Sequence, residues 1–265
     1  MPRFAANISM MFNEVPFLER FALARNAGFT AVEFTFGYDH RAQRLVELVE
    51  YHDLTVALFN MPKGEGVNDR GVAAVAGRED EFRDQVEVAL EYARALRPLN
   101  VHVMSGNAAA DDAEARAIYV ANLRYAAQRF GDSNTGLVIE PLNSRDIPGY
   151  YLSDFDFARD VIAEVDAPNL GLQFDIYHRQ VQRGDVMGGL REMLPIIRHV
   201  QISATPGRHE PGSGELDDFE VLRRLDSMGY DGFVGCEYRP ASSTIEGLGW
   251  MSDFQRRVAA VEGRA

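Results

Sequence analysis

The chain has 265 residues, of which 46% are hydrophobic and 25% are charged, and both fractions are ordinary for a globular protein. Acidic residues outnumber basic residues by 40 to 27, which gives a formal net charge of −13. This charge argues against a nucleic-acid-binding protein, because such domains normally carry a basic face. The length suits one α/β barrel, or two smaller domains.

The cysteine and lysine content narrows the class further. Cys236 is the only cysteine, which excludes an intrachain disulfide and is typical of a reducing compartment, so we expect a cytoplasmic protein. The N-terminal segment lacks the apolar core of a signal peptide, and no apolar run is long enough to predict a membrane span. Lys63 is the only lysine and lies in a Gly/Pro-rich stretch, so we expect no Schiff-base or pyridoxal chemistry and no organic cofactor.

Short β-branched or aromatic runs alternate with longer helical patterns such as Glu79–Ala95 and Ala113–Phe130. This alternation indicates parallel strands, and eight units of this size predict a single (β/α)₈ TIM barrel domain over residues 1–265. An open doubly wound sheet is the alternative, but it requires a glycine-rich turn after its first strand, and residues 9–13 contain no glycine. The predicted strands are Phe4–Met10, Ala31–Phe36, Thr55–Asn60, Asn100–Met104, Gly136–Glu140, Leu170–Asp175, His199–Ser203 and Gly232–Glu237.

Two connections that follow predicted strands are unusually long, namely Met61–Gly77 and Ala204–Glu215. Long connections within a compact domain are commonly functional. Connections that follow the strands of a TIM barrel lie at its C-terminal face, where active sites occur. We therefore expect both segments to border an active site.

Oxygen-bearing side chains stand at or near the ends of the last four predicted strands: Glu140, Asp175, Gln201 and Glu237. Three converging carboxylates repel one another unless a cation offsets their charge. Carboxylate and amide oxygens favour Mg²⁺ or Mn²⁺ over Zn²⁺, so the pattern predicts a divalent metal site. The alternative for each single carboxylate is that it caps the following helix.

Three cationic or imidazole side chains are further candidates. His178 follows Asp175 by three residues and is a candidate for binding substrate or for capping a helix. His102 lies within the fourth predicted strand, where it is either a substrate-binding or a core residue. Arg208 lies in the second long connection, and its guanidinium suits a substrate carboxylate, although a solvated loop arginine is the alternative. We expect Glu33 to be a buried structural carboxylate paired with an arginine.

Several motifs resemble those of the hydroxypyruvate isomerase family, within the xylose isomerase-like TIM barrel superfamily. The resemblance extends over nearly the whole chain, and the specific motifs are Asp-Ile-Tyr-His at 175–178 and Arg-His-Glu-Pro-Gly-Ser-Gly-Glu at 208–215. The supporting motifs are Phe-Ala-Ala-Asn-Ile-Ser-Met-Met-Phe at 4–12, Gly-Arg-Glu-Asp-Glu-Phe-Arg at 77–83, Ile-Glu-Pro-Leu-Asn at 139–143 and Gly-Cys-Glu-Tyr at 235–238. One departure is visible, because the connection after the third strand lacks the tryptophan that the family often carries there.

The resemblance implies that Glu140 and Glu237 are the catalytic pair and that Glu140, Asp175, Gln201 and Glu237 bind the metal. It also implies that His178 and Arg208 contact the substrate. Such a site would move a proton between adjacent carbons through an enediolate, with one carboxylate as base and the other as acid.

The expected activity is the isomerisation of a small hydroxy-oxo acid, hydroxypyruvate to tartronate semialdehyde. The alternatives are a 2-oxo-tetronate isomerase, a ketose 3-epimerase that uses the same residues, a phosphodiester hydrolase on the same barrel, and a non-catalytic sugar-acid-binding protein. The hydrolase is disfavoured by six histidines and the acidic net charge. We expect the partners to be a small-molecule substrate and further copies of the chain, as a homodimer or homotetramer, with no nucleic acid and no membrane.

Overall fold

The structure is a computed structural model that describes residues 2–262. Eight parallel strands close into a barrel in which each strand pairs with its neighbours in chain order, and β8 pairs with β1. Every predicted strand is present, so the prediction of a TIM barrel is confirmed. The strands are β1 (Arg3–Asn7), β2 (Ala31–Phe34), β3 (Thr55–Asn60), β4 (Asn100–His102), β5 (Gly136–Ile139), β6 (Leu170–Asp175), β7 (Ile197–Ile202) and β8 (Phe233–Cys236).

Helices lie between successive strands, with two short 3₁₀ helices at Phe17–Glu19 and Leu194–Ile196. Both predicted helical patterns are helices, and each end agrees to within one residue. The α-helices are α1 (Arg20–Asn26), α2 (Ala42–Tyr51), α3 (Glu79–Leu96), α4 (Ala113–Arg129), α5 (Phe155–Val165), α6 (Ile176–Gln182), α7 (Val186–Met193), α8 (Asp218–Ser227), α9 (Thr244–Gly247) and α10 (Gly249–Glu262). None of the described helices combines the length and apolarity that crossing a membrane requires.

Local sequence signals explain where several helices begin and end. Asp112, Asp154 and Asp217 precede α4, α5 and α8, and the side chain of each accepts a hydrogen bond from a backbone N–H of the first turn, which is the usual role of an N-cap aspartate. Gly28 and Gly229 follow α1 and α8 with φ of +94° and +85°. Glycine adopts this left-handed conformation without a steric penalty, so the chain can turn from the helix into the next strand.

The interior of the barrel changes from apolar to polar along its axis. Ala5, Ala31, Ala57 and Phe233 form a small buried apolar cluster. Two residues further along β1 and β2, the buried side chains are the polar residues Asn7 and Glu33. The larger apolar core lies between the strands and the surrounding helices. The polar layers lead towards the C-terminal ends of the strands, where the side chains singled out in the sequence are found.

Candidate active site

A cavity of about 540 Å³ lies at the C-terminal mouth of the barrel. Five of the seven predicted site residues line it, and they are His102, Glu140, His178, Arg208 and Glu237. Asp175 and Gln201 are buried and lie side by side in the pairing of β6 with β7. The structure therefore brings all seven predicted residues to one end of the barrel.

Glu140 is the least satisfied carboxylate of the site. Its side chain is buried, and its Oε1 has no hydrogen-bond partner among the described residues. Ligand atoms of Glu140, Asp175 and His178 lie within 4.8 Å of one another. Burial, followed by the negative charges of Glu237 and Asp175, raises the pKa of Glu140 well above its usual value. The carboxylates thus repel one another as the sequence predicts.

Arg208 offsets part of this negative charge. Its Nη2 donates to Oε2 of Glu237 at 2.5 Å and to Oδ2 of Asp175 at 3.5 Å. The guanidinium also lies over the ring of Tyr177, 4.9 Å from the ring centroid, in the geometry of a cation–π contact. Arg208 has φ of +53°, which is uncommon for a residue other than glycine. Its hydrogen bonds show that Arg208 is held within the site and is not a solvated loop arginine.

Asp175 combines the two roles that the sequence left open. Its Oδ1 accepts a hydrogen bond from the backbone N–H of Tyr177 at 2.7 Å, which caps α6. Its Oδ2 instead lies 3.5 Å from Arg208 Nη2 and 3.7 Å from His178 Nε2. One oxygen thus stabilises the helix, and the other faces the site.

The hydrogen bonds of His178 determine which nitrogen faces the site. The backbone N–H of Asn143 donates to His178 Nδ1 at 3.0 Å, so Nδ1 is the acceptor and Nε2 carries the proton in the neutral ring. Burial lowers the pKa of His178 to about 4, which keeps the ring neutral at pH 7. His178 Nε2 therefore presents an N–H towards Asp175 and cannot bind a metal in this tautomer.

His102 is buried next to Glu140, with its Nδ1 3.6 Å from Glu140 Oε2. Neither ring nitrogen has a hydrogen-bond partner among the described residues. Burial, followed by the nearby His199 and His178, lowers the pKa of His102 to about 3. A neutral, unpartnered imidazole at the wall of a cavity is able to bind a ligand, whereas a core histidine normally has its hydrogen bonds made.

Below the mouth, Glu33 is held by three hydrogen-bond donors. Asn7 Nδ2 and Gln201 Nε2 donate to Glu33 Oε1 at 2.9 and 2.7 Å, and His199 Nε2 lies 2.7 Å from Glu33 Oε2. The expectation that Glu33 is buried is confirmed, but the expectation of an arginine partner is wrong. Parallel pairing brings Asn7 beside Glu33, and the inward-facing side chains of β7 supply the other two donors.

Glu33 also fixes how the Gln201 amide is oriented. Because Gln201 Nε2 donates to Glu33, its Oε1 points the other way and accepts a hydrogen bond from Gln173 Nε2 at 2.6 Å. An amide oxygen has a second lone pair, which stays available for a metal ion. Gln173 was not predicted as a site residue, although it precedes Asp175 by two residues on β6, which puts both side chains on the same face.

The donor atoms suit a hard divalent cation. The carboxylates of Glu140, Asp175 and Glu237 could supply oxygen ligands, of which the Oε1 of Glu140 has no partner among the described residues, and Gln201 could add a neutral oxygen. Such ligands are preferred by Mg²⁺ and Mn²⁺. Glu140, Asp175 and His178 lie close enough together to hold a metal ion. Because His178 Nε2 carries a proton, the carboxylate oxygens of this cluster are the better ligands.

Both long connections reach the cavity, as the sequence predicts. The connection between β7 and α8 contributes Arg208, and the connection between β3 and α3 contributes Lys63, Asn68, Asp69 and Arg70. Arg70 was not predicted as a site residue, because the sequence around a loop arginine does not indicate where its side chain points.

A second cavity of about 580 Å³ lies outside the barrel, beside α8 and α10. Its lining includes Asp218, Trp250 and Phe254 but none of the predicted site residues. Trp250 packs against Phe4 and donates a hydrogen bond to Tyr238, so its role is one of packing. The chemistry therefore points to the cavity at the mouth of the barrel.

Comparison with known proteins agrees with this fold. The family described as xylose isomerase-like TIM barrel matches residues 21–254. The chain is 46% identical to a protein of Cupriavidus necator named 2-oxo-tetronate isomerase, over 97% of this chain and 100% of the relative. It is 39% identical to a protein of Escherichia coli named hydroxypyruvate isomerase, over 96% of this chain and 100% of the relative.

The barrel is also similar to solved structures. A crystal structure from Brucella melitensis, described as an AP endonuclease of family 2, superposes with a TM-score of 0.93 at 45% identity, over 96% of this chain and 99% of the other. The expected family and enzyme class are confirmed by these findings. The chain belongs to the xylose isomerase-like TIM barrel family, and within it to a group of isomerases that includes proteins named hydroxypyruvate isomerase and 2-oxo-tetronate isomerase.

Proposed function

We propose that this isomerase converts hydroxypyruvate to tartronate semialdehyde through an enediolate, with Glu140 and Glu237 as the catalytic pair. The observation that carries the proposal is the buried, unpartnered oxygen of Glu140 in a cavity that also contains Glu237. A buried carboxylate without its hydrogen bonds is costly. Its presence in a cavity of this size is therefore best explained by a role in chemistry.

The reaction removes a proton from C3 of hydroxypyruvate and delivers a proton to C2, while the hydroxyl proton moves from the oxygen on C3 to the oxygen on C2. One of the two glutamates accepts the first proton as a general base, and the other donates the second as a general acid. The mutual repulsion of the carboxylates supports this division, because one of them is more easily protonated when the other is charged. His178 Nε2 donates a hydrogen bond to a substrate oxygen, and His102 contacts the substrate beside Glu140.

We propose that Glu140, Asp175, Gln201 and Glu237 hold Mg²⁺ or Mn²⁺. A divalent cation supplies Lewis-acid stabilisation of the negative oxygens that form during the reaction. Glu33 supports this site by orienting the Gln201 amide. Arg208 remains beside Glu237 and offsets charge that the cation does not. We propose no organic cofactor, in keeping with the side chains that line the cavity.

The isomerisation of 2-oxo-tetronate is a second candidate, which two observations favour. The cavity of about 540 Å³ has room for a four-carbon acid, and the relative at 46% identity is named 2-oxo-tetronate isomerase. A ketose 3-epimerase is a weaker candidate, because the solved epimerases that superpose are about 20% identical and support the fold alone.

The other expectations remain proposals. The net charge of −13 and the acidic cavity argue against binding of nucleic acid, so the endonuclease description of the Brucella melitensis protein is not transferred. The single cysteine, Cys236, is buried and fits a protein of the cytoplasm. We further propose a homodimer or homotetramer without membrane association.

The test is proton NMR in D₂O with hydroxypyruvate, 2-oxo-tetronate or a neutral ketose, each with Mg²⁺ or Mn²⁺ and again with a chelator. We expect conversion, with deuterium uptake beside the carbonyl, for one or both acids, and a loss of turnover with the chelator. The fastest substrate decides between the candidates. The absence of conversion and exchange with all three compounds would contradict an isomerase of this class.

A further inference from the structure

The charges at the mouth of the barrel leave the substrate carboxylate without a partner. Arg208 pairs with Asp175 and Glu237, and the proposed metal ion would be held by the carboxylates of the site. Both cations thus face carboxylates of the protein, so a carboxylate of the substrate needs a partner of its own.

The connection between β3 and α3 brings two cations to the cavity wall. The backbone N–H of Gly71 donates to the carbonyl oxygen of Lys63 at 2.7 Å, which closes this segment into a loop. Gly71 has φ of +92°, and a Cβ there would lie 2.1 Å from the carbonyl oxygen of Met104. The loop thus packs closely against the residues that follow β4. Both Lys63 and Arg70 line the cavity.

Asp69, which precedes Arg70 in the loop, is already paired with another arginine. Arg78 Nη2 donates to Asp69 Oδ2 at 2.6 Å, and the backbone N–H of Gly66 donates to the same oxygen. Among residues 2–262, the side chain of Arg70 makes no hydrogen bond or ion pair. The pairing of Asp69 with Arg78 therefore leaves the charge of Arg70 free.

Arg70 lines the same cavity as Glu140 and Glu237. Lys63 is less suited to bind a ligand, because its Nζ donates to the carbonyl oxygen of Val67. Arginine also offers the two parallel N–H groups that match a carboxylate.

We propose that Arg70 binds the carboxylate of the substrate and so makes the site selective for hydroxy-oxo acids over neutral sugars. Lys63 adds positive charge at the same wall. This inference rests on the proposed function, and it assigns to Arg70 a task that the sequence alone pointed to in Arg208. Arg208 instead donates hydrogen bonds to the carboxylates of Asp175 and Glu237.

The test compares Arg70→Met with Arg145→Met in steady-state kinetics with hydroxypyruvate and Mn²⁺. Arg145 is an exposed arginine in the connection after β5 that does not line the cavity, so this variant removes the same charge from the same end of the barrel. We expect Arg70→Met to raise KM by roughly tenfold or more, with kcat within about threefold. Arg145→Met should leave both constants unchanged, and Arg70→Lys should give an intermediate KM.

Mn²⁺ affinity, measured by electron paramagnetic resonance, should be the same in Arg70→Met and in the wild type, since Arg70 is not a ligand. An unchanged KM in Arg70→Met would overturn this inference while leaving the proposed function intact. A loss of kcat without a change in KM would also overturn it. If the wild type fails to convert any hydroxy-oxo acid, the proposed function itself is wrong, and the inference fails with it.

Discussion

Glu33 and Glu140 are both buried carboxylates inside one barrel, yet their surroundings differ. Glu33 accepts hydrogen bonds from Asn7 and Gln201 and lies 2.7 Å from a nitrogen of His199. Glu140 has one oxygen without any partner among the described residues and faces two further carboxylates. The carboxylate of Glu33, at the floor of the barrel, thus has hydrogen-bond donors beside both oxygens. The carboxylate of Glu140, at the mouth, has one oxygen without a donor and faces the cavity.

We propose that this difference separates a structural carboxylate from a functional one. A charged group that has its hydrogen bonds is retained at little cost, whereas removal of the group strands its donors. A buried charged group that lacks hydrogen bonds destabilises the fold, so its presence indicates a chemical role. The comparison predicts opposite consequences of substitution: a loss of activity for the carboxylates at the mouth and a loss of stability for Glu33.

Glu237→Gln tests the mouth of the barrel. We expect kcat for hydroxypyruvate to fall by roughly 100- to 10,000-fold, the range for loss of a general acid or base, while the circular dichroism spectrum is retained. Glu65→Gln is the matched control, because Glu65 is an exposed carboxylate of the β3–α3 connection that does not line the cavity. Wild-type kcat in Glu237→Gln would show that the two-carboxylate mechanism is wrong.

Glu33→Ala tests the floor of the barrel. The substitution leaves the donors of Asn7 and Gln201 unpaired and opens a cavity, so we expect the free energy of unfolding to fall by about 3–5 kcal/mol. Glu33→Gln should lose less, since its one oxygen still accepts both amide hydrogen bonds. Urea unfolding measures both variants. If Glu33→Ala is as stable as the wild type, the network does not support the barrel.

Asp218 provides an intermediate case outside the barrel. Its Oδ2 accepts a hydrogen bond from the backbone N–H of Gly212, but its Oδ1 has no partner among the described residues. Burial, partly offset by this hydrogen bond, raises the pKa of Asp218 to about 6. A folded pKa above the unfolded value means that stability declines as the pH rises from about 4 to about 6.

Asp218→Asn removes the loss of stability that accompanies ionisation of Asp218. We expect the free energy of unfolding of the variant to exceed that of the wild type by about 1–2 kcal/mol at pH 8, and by less at pH 5. Asp217→Asn is the matched control, because asparagine also serves as an N-cap and the change should have little effect. An equal gain at both pH values would mean that the effect is not due to ionisation of Asp218.

The order of the elements and the bounds of β3 and β6 could be predicted from the sequence, but the end of the first strand could not. The prediction placed the end of the first strand at Met10, whereas β1 ends at Asn7. The apolar residues beyond Asn7 continue the pattern of a strand, but Met10 and Met11 turn back and donate to the carbonyl oxygen of Asn7. Strand pairing therefore stops where the chain bends to form the mouth of the cavity.

The site residues could be predicted where they follow strands, because strand geometry brings strand ends together. The hydrogen bonds between them could not be predicted. Nothing in the sequence shows that Arg208 pairs with Glu237 or that Asn143 sets the tautomer of His178, since these contacts depend on how loops from different strands fold over one another. The same reason explains why Arg70 was missed.

The central claim is that Glu140 is kept unsatisfied for catalysis. The most direct test is urea unfolding of Glu140→Gln in metal-free buffer at pH 8, together with its turnover of hydroxypyruvate with Mn²⁺. Because glutamine has nearly the same shape and no charge, we predict a free energy of unfolding about 1 kcal/mol or more above that of the wild type, and no measurable turnover. A variant that is less stable than the wild type, or that retains turnover, would contradict the claim.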